Sequence, residues 1–136
     1  TESMMKSMND EQSDIDKIVN KNNRKLDIDD ILDKIKKVSS ISSGFMQDTR
    51  SWIIFPTQVS YWGSIDGINY QHLGDLKNNI AADNYEVLIK EFELPVSQAL
   101  KYIKVLAKNY GALPAWHLGY GEGGDAILFV DEISVR

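Results

Sequence analysis

The sequence predicts an all-β domain, a sandwich or jelly roll, on three observations. Short runs rich in β-branched and aromatic residues are separated by turn residues: Val38 to Met46, Thr57 to Trp62, Tyr85 to Phe92, Lys101 to Lys108, Ala126 to Val130 and Ile133 to Val135. Within Lys101 to Lys108, Ile103, Val105 and Ala107 alternate with Tyr102, Lys104 and Leu106, as in a strand with one buried and one partly wet side. Asp66-Gly67 stands between the Tyr61-Trp62 strand and the Tyr70-to-Leu73 run, where a tight hairpin turn needs positive φ. No run is long enough to prefer helix, and short strands at this spacing suit a two-layered β fold.

The chain changes character near residue 38. All 9 Gly, 3 Pro, 3 Trp, 6 Tyr and 4 Phe lie beyond Lys37, so the folded body occupies about a hundred residues. Before that, Asp, Lys, Asn and Met dominate, too polar to build a core alone. Ser13 followed by Asp16 resembles a capping box, and Thr1 to about Asn23 is expected to be marginally ordered or ordered by docking. Ile28, Ile31, Leu32, Ile35 and Val38 recur at helical spacing behind Asp27, which reads as a helix from about Asp27 to Lys37. The rival reading has Leu26 to Asp29 alternating as a strand and Lys34 to Val38 starting another. The run Asn20 to Asp30 has the composition of a calcium loop but lacks its first acidic ligand and central Gly, so it reads as a solvated linker. Domain bounds follow: 1-33 as a polar segment or atypical first strands, and 34-136 as the sandwich.

At 136 residues, 43% of them hydrophobic, the chain supports one domain with an ordinary core. A net charge of -5 lacks the basic face that nucleic acid needs. No run approaches the ~18 apolar residues of a membrane span, and the first residues lack the apolar stretch of a signal peptide, so the chain is expected to start within a longer precursor. Zero cysteines exclude disulfides, thiolate nucleophiles and cysteine zinc sites. With His72 and His117 as the sole imidazoles, one copy cannot build a three-histidine metal site.

Ser64-Ile65-Asp66-Gly67-Ile68-Asn69-Tyr70 resembles the Ser-x-Asp-Gly-x-x-aromatic hairpin of galactose-binding-like domains, the discoidin or coagulation-factor type-C superfamily. Two longer blocks extend the resemblance: Phe45 through Asp48-Thr49-Arg50-Ser51-Trp52 to Pro56, and Lys101 through Asn109-Tyr110-Gly111, Leu113-Pro114-Ala115-Trp116-His117 and Phe129-Val130-Asp131-Glu132-Ile133. Together they are similar to the accessory domain at the C-terminal end of Bacteroidetes-type β-N-acetylhexosaminidases, over roughly Lys34 to Val135. The resemblance implies a galactose-binding-like jelly roll within a larger secreted, periplasmic or cell-surface glycoside hydrolase. Many relatives carry an upstream Asp-Gly loop that holds a structural calcium. Nothing in Thr1 to Lys25 matches that loop, so no metal or other cofactor is assigned.

Catalysis by the chain itself is not expected. Glycoside hydrolysis needs two carboxylates, or one acid beside a carboxylate-held acetamido group, and the hexosaminidase class carries its pair in a barrel that 136 residues cannot hold. The adjacent Asp-Glu pairs are Asp10-Glu11 in the tail and Asp131-Glu132, where alternation sends one member inward to tie a strand end. Gly119 to Gly124 is glycine-rich without the strand-to-helix context of a nucleotide loop, and reads as a flexible connection.

Sugar binding asks less: an aromatic face for the C-H side of a pyranose, and a few fixed donors and acceptors. Arg50 and Trp52 precede the Thr57 strand, where sugar-binding relatives often supply an Arg. Asn109 ends the Lys101 strand, where they often place an Asn, and Trp116 and His117 follow in the next loop. Neighbouring antiparallel strands would bring these five to one end of the sandwich as a polar cup with a stacking wall. The expected partner is a glycan containing N-acetylhexosamine or galactose. The alternative is a structural or protein-interaction role against the parent catalytic domain. Each candidate also has a plain reading: Trp52 as a core anchor, Trp116 and His117 as interdomain contacts, Arg50 paired with Asp48 or Asp125. His72 reads as a surface residue, and one of Tyr61 and Trp62, on opposite faces of one strand, as core.

Overall fold

Two long strands organise the molecule, whose computed structural model describes residues 18-20 and 25-136. The strands are β1 Ile18–Asn20, β2 Lys25–Gln47, β3 Gln58–Ser64, β4 Gln71–Lys77, β5 Leu88–Lys108 and β6 Leu128–Val135. All named strand pairs are antiparallel, in the order β1-β6-β2-β5-β3-β4. β2 and β5 pair along most of their length, but the register breaks between Ile31 and Lys36 and again between Val38 and Ser40. Those breaks fold the sheet over on itself. The first half of β2 and the second half of β5 join β3 and β4 in one layer, while the other halves join β6 in the facing layer. Pro95, opposite Ser40, sits at the second break, where its missing N–H costs no regular ladder bond.

The core lies between the layers. Ile103, Val105 and Ala107 are fully buried, as their alternation predicts. Phe45 meets Phe92 edge to face, with ring centroids 5.6 Å apart. Tyr61 is buried and Trp62 is half-buried, so the core member of that pair is Tyr61. Its hydroxyl bridges the layers, 2.6 Å from the Ser43 hydroxyl and 2.7 Å from the Phe92 carbonyl oxygen, to which it donates. Burial raises its pKa far above the ordinary phenol value, which keeps the proton in place.

Of the two readings of Asp27 to Lys37, the strand is the one the structure bears out, since the whole segment lies in β2. Even positions Ile28, Asp30 and Leu32 face inward, and after the register breaks the inward set becomes odd: Ile41, Ser43 and Phe45. The helical spacing arises because outward apolar residues, half-buried Ile31 and half-exposed Ile35, fall among the inward Ile28, Leu32 and Val38. The linker reading of Asn20 to Asp30 fails for Lys25 onward, because that part is paired β2. The 33/34 boundary likewise falls inside β2. The Ser13-Asp16 capping box and most of the marginal segment 1-23 lie outside the described residues; within it, the backbone of 18-20 pairs with β6. The expectation for Asp131-Glu132 is also corrected. Gly44 pairs with Glu132 and Phe45 with Val130, so Asp131 is an extra, bulged residue and neither carboxylate points into the core.

Gly67 has φ +77° in the β3–β4 connection, as the hairpin requires. The Asp66 carboxylate accepts from the backbone N–H of Asn69 and Ile68 and from the Ser64 hydroxyl, which hold its pKa well below the usual carboxylate range.

Candidate functional site

The loops 48-57, 78-87 and 109-127 converge at one end of the sandwich. Gln47 and Thr49, both buried, hold the first two together. Gln47 Nε2 donates to the Ala81 carbonyl oxygen at 3.1 Å, and Thr49 Oγ1 to that of Ala82 at 2.8 Å. The third loop is tied on by backbone: Ile127 N–H donates to Trp52 O at 2.8 Å and Ile54 N–H to Ile127 O at 3.2 Å.

Among the five sequence candidates, three form a lower layer. Trp52 has φ +71°, an unusual conformation for a residue with a side chain, and its half-buried indole lies beneath the glycine-rich loop. A Cβ on Gly119 would come within 2.6 Å of that ring, and one on Gly124 within 2.4 Å. Gly119 and Gly124 are therefore fitted to the indole at the two ends of a run that forms a 3-10 turn over Leu118–Glu122, while Gly121 and Gly123 face open space. His117 is 5% exposed, contrary to its expected place in an open cup. Its Nε2 lies 2.5 Å from the Thr49 carbonyl oxygen, and its Nδ1 accepts from Gly119 N–H at 2.9 Å, which assigns the proton to Nε2. Asn109, also 5% exposed, donates from Nδ2 to Ala126 O at 3.1 Å and accepts at Oδ1 from Gly111 N–H at 2.8 Å. Both side chains spend their polar atoms on loop backbone.

Arg50 and Trp116 form an upper layer with a residue the sequence reading placed in a strand. Tyr85 lies in the loop ahead of β5, 43% exposed, and the Arg50 guanidinium carbon sits 5.0 Å from its ring centroid. Trp116, 46% exposed, meets Tyr85 edge to face with centroids 6.2 Å apart. Arg50 is thus braced on an aromatic ring instead of pairing with Asp48 or Asp125; the Asp48 carboxylate accepts from the Ser51 hydroxyl at 3.1 Å. The signal for Tyr85 was Asp83-Asn84, turn residues that keep it out of the strand. Asn84 Oδ1 accepts from Glu86 N–H at 3.0 Å around it.

The result is an exposed aromatic corner carrying one guanidinium, seated on a rigid hydrogen-bonded floor. Such a corner offers a ring face to apolar C-H groups and planar donors to hydroxyls. His72, elsewhere, sits 2.8 Å from Asp75 on the β4 surface. Among the described residues, no group of three or more metal-ligating side chains is present, and no helix is long and apolar enough to cross a membrane.

No protein-family model and no curated protein sequence matches the chain. Solved structures do. CBM32-3 of a family 31 glycoside hydrolase from Clostridium perfringens is 12% identical with a TM-score of 0.55, over 92% of this chain and 70% of that one. CpGH89CBM32-4 from the same organism, solved with GlcNAc-α-1,4-galactose, is 13% identical with a TM-score of 0.51, over 90% and 78%. The C-terminal domain of a chitobiase from Bacteroides fragilis is 17% identical with a TM-score of 0.52, over 85% of this chain and 64% of that domain. These are likenesses of fold. The chain shares the β-sandwich fold of these domains, in keeping with the all-β class its sequence predicts.

Proposed function

We propose that this chain is a non-catalytic accessory domain of a secreted or surface-attached glycoside hydrolase, β-N-acetylhexosaminidase-like, that binds glycans weakly at the Arg50, Tyr85 and Trp116 corner. The single observation behind the reading is that two large aromatic rings and a guanidinium stand exposed together on a loop end where Asn109 and His117 are engaged internally. Trp116 supplies the stacking face, Tyr85 orients it, and Arg50 donates to ring hydroxyls. Trp52, His117 and Asn109 hold the loops in place without touching the sugar. The similar fold of a domain solved with GlcNAc-α-1,4-galactose supports a glycan containing N-acetylhexosamine or galactose. Titration of the chain with N-acetylglucosamine, galactose, chitobiose and GlcNAc-α-1,4-galactose, followed by Trp fluorescence and calorimetry, tests it. Saturable binding that Trp116→Ala weakens about tenfold is expected. Binding unchanged in both Trp116→Ala and Tyr85→Ala overturns it.

A second reading has its own observation. Leu118 is 97% exposed, an aliphatic side chain of little use to a sugar, with Tyr120 also exposed two residues on. On this reading the loop end packs against the parent catalytic domain and binds no glycan. Silence toward every sugar, with Leu118→Asp weakening association with that catalytic domain, would favour it.

A further inference from the structure

The outer face of the β2–β5–β3–β4 layer has a character the loop end does not explain. Pairing sets Asp29, Lys104, Trp62 and His72 side by side in one row across the four strands. The adjacent row on that face includes Asp27, Leu106 and Ser60. Since Ile28, Val105 and Tyr61 point inward, both rows point out. A solvated sheet face is ordinarily polar, yet this one centres on Trp62 and Leu106, and Tyr70 joins them from the β3–β4 connection. Between them lies a depression of about 140 Å³ lined by Asp27, Trp62, Tyr70, Lys104 and Leu106.

We propose that this depression is a second saccharide-binding site, independent of the loop end, in which Trp62, Tyr70 and Leu106 receive the apolar face of one sugar ring while Asp27 and Lys104 hold its hydroxyls. Charge selects the ligand class. The place a cation would take over Tyr70 is occupied by the chain's own Lys104, whose ammonium sits 5.0 Å from the ring centroid and 3.3 Å from Asp29 Oδ1. Asp27 and Asp29 on the same face repel phosphate and nucleic acid. A neutral ring with one apolar face and a rim of hydroxyls satisfies what is left. Asp27 is exposed at the rim of the depression, where its carboxylate offers acceptors to ring hydroxyls. Trp62 is braced for stacking by His72, with ring centroids 4.7 Å apart. The site is also remote in topology: Tyr70 follows the end of β3, whereas the Arg50 loop enters its beginning.

The test reads each indole separately. Indole N–H signals of ¹⁵N-labelled protein, assigned with Trp→Phe variants, are followed through titrations with N-acetylglucosamine, galactose, chitobiose and chitotetraose. The expected result is a saturable shift of the Trp62 signal that persists in Trp116→Ala and weakens about tenfold in Tyr70→Ala, a change at a surface connection. Asp27→Asn, isosteric and exposed, should weaken it as well with the rest of the spectrum superimposable. A Trp62 signal that stays fixed while Trp116 responds overturns this site and spares the loop reading. A response of Trp62 but not Trp116 does the reverse. A Trp62 shift that follows protein concentration instead of sugar assigns the face to a second copy of the chain and overturns the proposal. So does a sugar response unchanged in both Tyr70→Ala and Asp27→Asn.

Discussion

Trp116 and His117 are adjacent in the chain and face each other as rings 5.9 Å apart, yet they belong to different layers of the same loop end. Trp116 stands about half exposed beside Tyr85, while His117 lies under the turn it caps with both ring nitrogens engaged. Arg50 and Trp52 divide in the same way: Arg50 lies over Tyr85, and Trp52 sits beneath Gly119 and Gly124. The lesson is that residue types suited to sugar recognition also suit the scaffolding of loops, because both tasks need flat rings and fixed hydrogen-bonding atoms. Which task a residue performs follows from whether its polar atoms are already spent.

The division can be broken by experiment, most forcefully in the lower layer. His117→Ala should destabilise the chain by about 3 kcal/mol in urea titration, since it leaves Gly119 N–H without its acceptor and a hole beside Trp52. If it instead removed sugar binding at unchanged stability, His117 would belong to the upper layer. Gly124→Ala comes next, at about 2 kcal/mol, because its Cβ would press within 2.4 Å of the Trp52 ring. A melting temperature equal to wild type would mean the loop is as slack as its glycines suggested. In the upper layer the effects should move from stability to affinity. Trp116→Ala should leave unfolding within about 0.5 kcal/mol of wild type and weaken glycan binding about tenfold by calorimetry. The smallest change sharpens the picture most: Arg50→Lys keeps the charge but loses the planar guanidinium over Tyr85, and should weaken binding by only about threefold. An effect as large as that of Trp116→Ala would make Arg50 a primary contact rather than an accessory donor.

Much of this was legible beforehand, and the failures share a cause. The strand from Lys101 and the positive φ at Gly67 are readable because each depends on neighbours one to four residues away. Helix and strand stayed undecided for the start of β2 because Ile31 and Ile35 are apolar yet point outward, and only the pairing with β5 settles the strand. Asp131 was misread for the same reason, its bulge being set by Gly44 far upstream. At the candidate site the expected residues do lie on loops that meet, but which of them stay exposed, and that Tyr85 joins Arg50, depends on Gln47 and Thr49 holding the 81-84 backbone.

The amino-acid sequence alone determined the class of fold, the hairpin, the inward face of the strand from Lys101 and the set of loops that meet at one end, since alternation and turn chemistry act over short spans. Only the tertiary structure decided which side chains at that end remain available. His117 is committed by the carbonyl of Thr49, 68 residues away in the chain, and Asn109 by that of Ala126, 17 away. A hydrogen bond to distant backbone leaves no mark on local sequence, so the distinction between the residues that hold these loops and those that stay exposed arises only when the sandwich closes.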